Sequence, residues 1–478
     1  MHYKGTKGRL LMRGRKANFS YFKDHQNDLK AFGRHMRRMA LPVMTEQAAA
    51  VVMNMISTMI SSRLGPAAIS AIGSVGKITM LVISVFSSLS AGGTVVVAQY
   101  LGKKRRDKAE SAVSCGLVST AVISSLSVIL LYIFREPIVR GLFRGAEEEV
   151  LQLSVIYLGT VSFYYLPFSI TTMGLALLRG AGDMRSPMLV SLIMNAVSLA
   201  VSYPLIYGFA PVSAGRGFGI RGAALSLIVA QSVGMILVLF ILFSPKGRLS
   251  VRPRELLKPS FKMLRNILYF GLPSGAESVM FNGGKLITQT FIMSLGTAAV
   301  AADTIAQTLT GFVGIGGNSF NLVATTMVGQ AVGAEEYEKA RRWNFFITIS
   351  SSVLFFLILI VFIPFSRLMI LPFTRDPETV KIAARIFRSY LIVIPFLHPP
   401  SFTLPAGLRG AGDVRFTMIV SILSMWLLRV GMSYVLAVVL NLGVIGIWIG
   451  MYIDWIGRAA CFIPRAYGRK WLHQKTLS

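Results

Sequence analysis

The chain has 478 residues, of which 54% are hydrophobic and only 14% are charged, and its formal net charge at pH 7 is +29. A soluble protein carries about a quarter charged residues, so this chain lacks the polar surface of a water-exposed globule. The composition excludes a soluble enzyme, a disordered chain and a disulfide-rich secreted scaffold. Cys115 and Cys461 both lie in hydrophobic runs, so neither a disulfide framework nor a cysteine metal site is expected.

Hydrophobic runs of about 20 residues each predict twelve transmembrane helices, and therefore an all-α polytopic membrane protein. A basic segment, 1–39, precedes the first run, which begins too far into the chain for a cleavable signal peptide. The first six spans are predicted near residues 40–62, 70–98, 111–134, 150–178, 186–208 and 219–243. The second six are predicted near residues 264–294, 297–328, 343–364, 380–404, 416–438 and 443–464.

The placement of the basic residues predicts the orientation. Of the 49 Lys and Arg residues, 34 lie in the two tails and every second loop, 11 lie in the opposite loops, and four lie within spans. Cytoplasmic loops are enriched in Lys and Arg, so both termini of this multi-pass protein are expected in the cytoplasm, at the cell membrane. Orientation and contact with the lipid bilayer thus explain the positive charge, and no nucleic-acid partner is expected.

An internal repeat relates the two halves. At an offset of 231 residues, Pro42 matches Pro273 and Glu46 matches Glu277, and at an offset of 230 the hexapeptide Leu-Arg-Gly-Ala-Gly-Asp at 178–183 recurs at 408–413. Two halves of six spans enter the membrane in the same direction, so a pseudo-two-fold axis is expected along the membrane normal, with a cavity between two six-helix bundles. The predicted organisation is a cytoplasmic tail 1–39, a bundle 40–243, a basic cytoplasmic linker 244–263, a bundle 264–465 and a cytoplasmic tail 466–478.

Several of these stretches carry a family resemblance. Residues 91–103 resemble the end of the second helix of multidrug and toxic compound extrusion (MATE) transporters, and residues 328–333 resemble the equivalent stretch of their second half. The twin hexapeptides are similar to the family's loops after helices 4 and 10. The resemblance covers about residues 40–465 and implies export of small organic, often cationic, compounds against uptake of sodium ions or protons, with no other cofactor.

The sequence departs from this family at one point that matters for coupling. Many relatives carry an aspartate late in helix 1, which serves cation coupling in the amino-terminal half, and Ser57 stands at that place here. Helix 5 of relatives often carries Asn and Asp just before a proline, where this chain has Ser202-Tyr203-Pro204. An amino-terminal cation site is therefore in doubt, and coupling is expected in the carboxyl-terminal half.

Ionisable side chains at membrane depth cost at least ~2.5–3.5 kcal/mol each, so each one needs a partner or a function. Glu277 follows Pro273 in helix 7, where a carboxylate beside free carbonyls suits a small cation or a proton; the alternative is an interfacial acid that caps a kink. Lys285 is either a structural partner of Asp303 in helix 8 or a group that an incoming cation displaces from that carboxylate. The predicted cation and substrate site consists of Glu277, Asp303, Lys285, Gln307, Asn282 and Glu46.

Four further polar residues have less defined roles. Asp454 and Arg458 are spaced to neutralise one another on one helix, and Arg429 has no evident partner in the sequence. His398 lies in a proline-interrupted helix 10 and is expected either to be satisfied by neighbouring groups or to line the pore, in both cases without a coupling role.

The motifs argue against an enzyme. No Gly-x-x-x-x-Gly-Lys-Ser/Thr loop is present, which excludes an ATP-driven pump. A lipid-linked oligosaccharide flippase of the same superfamily is the main alternative, although it would need a longer, strongly basic cleft; a membrane-embedded transferase is a weaker one. The sequence therefore predicts a cation-coupled exporter of small organic compounds that acts as a monomer without a resident metal ion.

Overall fold

The structure, a computed structural model, describes residues 32–472 apart from 58, 61–63, 144, 209–216, 246, 248, 250 and 252–259. The described part contains helices and no strands. The first half contains six long helices, α1 (Phe32–Ser57), α2 (Pro66–Gly102), α3 (Arg106–Ile133), α4 (Glu148–Gly180), α5 (Arg185–Tyr207) and α6 (Gly219–Phe243), and a short helix, Arg135–Leu142, follows α3. The second half consists of α7 (Phe261–Met293), α8 (Thr297–Gly333), α9 (Tyr337–Phe365), α10 (Pro377–His398 and Leu404–Ala411), α11 (Val414–Val439) and α12 (Gly443–Tyr467).

The twelve predicted spans are confirmed, and they form two six-helix bundles related by a pseudo-two-fold axis along the membrane normal. Ten of the helices are long and hydrophobic enough to cross a membrane by composition alone. The other two are α7 and α10, each of which carries four charged residues in its longest α-helical segment. In α7 these charges include Glu277, which is half-buried, and Lys285, which lines a cavity, whereas the four charged residues of the α10 segment Pro377–His398 are exposed.

Helix α1 begins at Phe32, earlier than the predicted start near residue 40. Phe32, Met36, Met39 and Val43 are spaced to share one helical face. Three of them are buried, and they pack with Phe320, Trp343 and other residues of the second half. The basic residues between them hid this amphipathic pattern, so the end of the predicted tail is in fact a packed helix.

Helix α7, the first helix of the second half, packs in the equivalent way against the first half. Met263, Ile267 and Phe270 pack into a hydrophobic cluster with Leu89 and Val95 of α2. The first helix of each half therefore packs its beginning against the other half. This exchange ties the two bundles together at one end of the molecule.

The two halves meet closely at the face that carries the loops 103–105 and 334–336, which we call the closed face. A Cβ atom on Gly102 would lie 2.2 Å from the carbonyl oxygen of Gln330, and one on Gly333 would lie 2.2 Å from that of Gln99. Only glycine permits this contact between helix backbones. Lys104 and Glu335 follow with φ angles of 58° and 63°, so the turns after α2 and α8 also have matching geometry.

Two glutamines join the halves at the closed face. Gln99 Nε2 donates to the carbonyl oxygen of Gly410 at 3.1 Å, and Gln330 Nε2 donates to that of Gly180 at 2.9 Å. Both acceptors belong to the repeated hexapeptides. These sequences therefore provide backbone acceptors for the opposite half, which explains why both copies keep the same small residues at this position.

We predict that replacing Gln99 and Gln330 by alanine together will open the closed face. Each lost hydrogen bond is worth about 0.5–1.5 kcal/mol, so the pair should shift the equilibrium between conformations by roughly 5- to 150-fold. Spin labels at positions 104 and 335, measured by double electron–electron resonance, should move apart.

Thr94→Val is the matched control for this experiment. Thr94 Oγ1 donates to the carbonyl oxygen of Ala176 within the first half, at 3.0 Å, so its loss should leave the label distance unchanged. An unchanged distance in the double glutamine variant would show that these two hydrogen bonds do not hold the closed face together.

Candidate functional site

A cavity of about 310 Å³ lies in the second half, among α7, α8, α10, α11 and α12. Three of the predicted site residues, Lys285, Asp303 and Gln307, line it. They are joined by Gln289, Arg429 and an aromatic wall that consists of Phe281, Tyr390, Phe402, Trp448 and Trp455. Asp303 lies near the start of α8, so the cavity is nearer to the face opposite the closed face.

Asp303 is the buried carboxylate of this cavity, with 1% of its surface exposed. Its Oδ1 accepts a hydrogen bond from Trp448 Nε1 at 3.0 Å, and its Oδ2 accepts one from Gln307 Nε2 at 2.6 Å. Both donors are neutral, so they orient the carboxylate without cancelling its negative charge. The arrangement suits a carboxylate that binds a mobile cation.

Lys285 and Asp303 line the same cavity, but the ion pairs of the described residues do not include one between them. The Lys285 ammonium lies 5.1 Å from the ring centroid of Phe281 instead. This distance is within the range of a cation–π interaction. The alternative of a structural Lys285–Asp303 pair is thus not realised in this conformation.

Arg458 and Asp454 do pair, as predicted from their spacing. Arg458 Nε lies 2.9 Å from Asp454 Oδ1, and both side chains are almost completely buried. Ser424 also donates a hydrogen bond to the same carboxylate oxygen. This pair neutralises itself and leaves the charges of the cavity to Lys285, Asp303 and Arg429.

Two π-helical segments border the cavity. Pro399–Thr403 interrupts α10 directly after His398, and Ser424–Val430 in α11 contains Arg429. Such segments are frequent at functional sites, because the extra residue redirects neighbouring side chains. His398 is buried and stacks on Phe402 with ring centroids 4.7 Å apart, so it forms part of the aromatic wall.

The two repeated glutamates lie elsewhere. Glu277 pairs with Arg409 at 3.3 Å, and Glu46 pairs with Arg179. Both arginines are the second residue of the hexapeptide, and sequence reasoning missed them as partners. The signal was present, because the glutamates and the arginines recur at almost the same offset.

The remaining predicted residue, Asn282, is half-buried on α7 and is not among the residues that line the cavity. Trp448 was also missed, since a tryptophan in a hydrophobic run gives no sign of a hydrogen bond to a carboxylate. The structure therefore brings three of the six predicted residues together and assigns two others to ion pairs.

The corresponding cavity of the first half has a different chemistry. It has a volume of about 380 Å³, and the described residues that line it include Asn54, Ser57 and Ser202 but no charged residue. At the repeat offset, Asn54 and Ile72 replace Lys285 and Asp303. This neutral lining agrees with the expectation that cation coupling takes place in the carboxyl-terminal half.

Two duplicated helix bundles with a polar cavity are the architecture of a membrane transporter. A family model described as MatE matches residues 42–204 and again residues 273–435, so its two matches are displaced by the same 231 residues as the repeat. The chain belongs to the MatE family.

Curated relatives and solved structures agree with this membership. The probable multidrug resistance protein NorM of Thermotoga maritima is 26% identical over 476 residues, which cover 96% of this chain and 98% of that protein. The uncharacterized transporter YisQ of Bacillus subtilis is 23% identical over 446 residues, which cover 91% of this chain and 94% of that protein.

Among solved structures, a MATE protein in complex with MaL6 has a TM-score of 0.82 at 20% identity, with 90% of this chain and 95% of that chain covered. A multidrug resistance MATE family transporter in the outward-facing conformation has a TM-score of 0.81 at 21% identity, with 90% and 94% covered. These structural similarities support the all-helical fold with two repeated bundles.

Proposed function

We propose that this protein exports small organic, often cationic, compounds across the cell membrane by antiport with sodium ions or protons. The observation that carries the proposal is Asp303, a buried carboxylate held by two neutral donors in a cavity of the second half. The names of the relatives, probable multidrug resistance proteins, support the substrate class. The only cofactor in this proposal is the transported cation, and the transporter acts as a monomer.

The cycle follows from the contacts between the halves. With both termini in the cytoplasm, the closed face is cytoplasmic and the cavity of the second half is reached from outside. A cation from outside binds Asp303 and displaces the positive group of the substrate, because one carboxylate cannot serve both. Separation of the halves at the closed face then releases the cation into the cytoplasm.

The alternatives receive less support. A flippase for a lipid-linked oligosaccharide would need a long, strongly basic cleft, whereas the cavity described here is small and has a carboxylate at one wall. The relatives and the family are transporters, so a membrane-embedded transferase is also disfavoured.

The proposal is tested with purified protein in lipid vesicles and ethidium as the fluorescent cation. Sodium and pH gradients are imposed separately, and at least one of them should drive ethidium transport against its own gradient. Vesicles without protein are the control for leakage, and vesicles that contain the Asp303→Asn variant are the control for coupling. If neither gradient drives transport of ethidium or of other organic cations, the antiport proposal is wrong.

We predict the sidedness of the protein by cysteine labelling. In a background with Cys115 and Cys461 replaced by serine, cysteines at Lys104 and Lys339 should react only from the cytoplasm. A cysteine at Arg375, between α9 and α10, should react only from outside. Labelling of positions 104 and 375 from the same side would contradict the proposed topology.

A further inference from the structure

Lys285 and Arg429 are two cations of the cavity that form no ion pair with any described residue. Both lie beside one phenyl ring, since Lys285 Nζ is 5.1 Å and Arg429 Cζ is 5.6 Å from the ring centroid of Phe281. A third cation, Arg458, is 5.5 Å from the same centroid, but Asp454 neutralises it. Two positive charges therefore remain close together at membrane depth.

The carboxylate of the cavity forms no ion pair with either cation. Asp303 directs both of its oxygens to neutral donors, Trp448 and Gln307. Ionisable groups at this depth are costly unless they are paired, and two neighbouring positive charges add mutual repulsion. An anionic group placed between Lys285 and Arg429 would remove both costs, because guanidinium and ammonium groups are strong donors to a carboxylate.

The shape of the cavity indicates an organic anion. A volume of about 310 Å³ is at the lower end of the range for small-molecule sites, far larger than a monatomic ion requires. Trp455 and His398 line the same cavity, and the buried Trp455 Nε1 and His398 Nδ1 have no hydrogen-bond partner in the described structure. The aromatic wall would enclose a ring system.

The first half has no comparable site. At an offset of 231 residues Asn54 replaces Lys285, and Arg429 is replaced by Ser198 at that offset or by Leu199 at the offset of the hexapeptides, so neither cation has a copy there. Arg429 also lies in the π-helical segment Ser424–Val430, which has no counterpart among the described residues of α5. The two cations are thus a feature of one cavity and not a consequence of the duplication.

We propose that Lys285 and Arg429 bind the acid group of an aromatic substrate in the second-half cavity. This inference rests on the proposed export function and adds aromatic compounds that bear a carboxylate to its substrate class. Asp303 remains available for positive charge, so a compound with both an acid and an amine would satisfy all three charged groups of the cavity.

The test measures binding of three matched probes to the purified protein by isothermal titration calorimetry, without any ion gradient. The probes are 1-naphthoate, the neutral 1-naphthamide and the cation 1-naphthylmethylammonium. The wild-type protein should bind 1-naphthoate about tenfold more tightly than 1-naphthamide, which corresponds to one charge-assisted contact. Lys285→Gln and Arg429→Gln should each bring the affinity for 1-naphthoate close to that for 1-naphthamide.

Two further variants complete the design. Asp303→Asn should strengthen binding of 1-naphthoate and weaken binding of 1-naphthylmethylammonium, because it removes the negative charge of the cavity. Lys77→Gln is the matched control: Lys77 is an exposed lysine of α2 that does not line this cavity, so its loss should change neither affinity. Thermal unfolding without ligand shows that each variant is folded, and the two cation variants test the site independently.

Equal affinities of the wild-type protein for 1-naphthoate and 1-naphthamide would overturn the proposal. So would retention of the preference in both Lys285→Gln and Arg429→Gln. Loss of gradient-driven ethidium transport with 1-naphthoate binding intact would instead reject the antiport function and leave the acid site standing. Ethidium transport without selective 1-naphthoate binding would reject the acid site and leave the antiport function standing.

Discussion

Replacing Asp303 by asparagine is expected to abolish export driven by a sodium or pH gradient while the protein remains folded and inserted. The substitution keeps the size of the side chain and one of its two acceptor positions, but it removes the charge that would bind the coupling cation. Since Trp448 and Gln307 both donate to the carboxylate, only one of these hydrogen bonds is lost, at a cost of about 1 kcal/mol. Coupled transport should fall at least tenfold, and downhill exchange of substrate should persist.

The measurement compares gradient-driven uptake with equilibrium exchange in the same vesicles. Gln307→Leu, which removes a donor but keeps the carboxylate, should reduce coupled transport without abolishing it. Asp183→Asn controls for loss of a carboxylate outside the cavity, since the donors to Asp183 within the described residues, Arg185 and Ser186, belong to its own turn. Full coupled transport by Asp303→Asn would exclude this residue as the coupling site.

The second large effect is expected at the ion pair between Glu46 and Arg179. Their side chains are only 7% and 14% exposed, and Ser191 donates a further hydrogen bond to Glu46 at 2.9 Å. Removing one partner leaves a buried charge without compensation, which typically costs about 3–5 kcal/mol. Glu46→Leu and Arg179→Met should therefore each lower the thermal stability strongly, whereas the double variant should recover most of the loss.

The repeat supplies a matched comparison. Glu277 and Arg409 are 18% and 23% exposed and lie 3.3 Å apart, so removing one of them should cost less. Thermal unfolding of purified variants, monitored by the fraction that stays soluble and monodisperse, gives the order of effects. Single variants at Glu46 and Arg179 as stable as the wild-type protein would mean that the pair does not hold α1 and α4 together.

The span count and the two-fold repeat followed from the sequence because they depend on features that extend over whole segments. Hydrophobic runs of helical length and a fixed repeat offset can be recognised even when the position of a single residue is uncertain. The start of α1 was not predictable in the same way. Phe32 and Met39 are buried only because the second half covers them, and basic neighbours give that stretch the composition of a tail.

The sequence predicted several residues of the site, but it did not predict which side chains form ion pairs or hydrogen bonds with each other. Helical spacing brought Asp303 and Gln307 together, and the structure places a hydrogen bond between them. The partner of Glu277, however, is Arg409, which lies 132 residues away in the chain, and no local pattern reports such a contact. The role of Trp448 likewise depends on how α12 packs against α8, which hydrophobicity does not encode.

The lack of charged residues in the described lining of the first-half cavity limits the free energy that the proposed antiport can draw on in each cycle. Among the described residues that line the two cavities, Asp303 is the carboxylate without a cationic partner, so under the proposed antiport these sites would exchange at most one monovalent ion per cycle. At a membrane potential of about 100 mV, one charge supplies roughly 2.3 kcal/mol. Since tenfold accumulation requires about 1.4 kcal/mol, the voltage alone can sustain a gradient of roughly fiftyfold for an uncharged cargo. Steeper gradients would have to come from the concentration difference of the coupling ion itself.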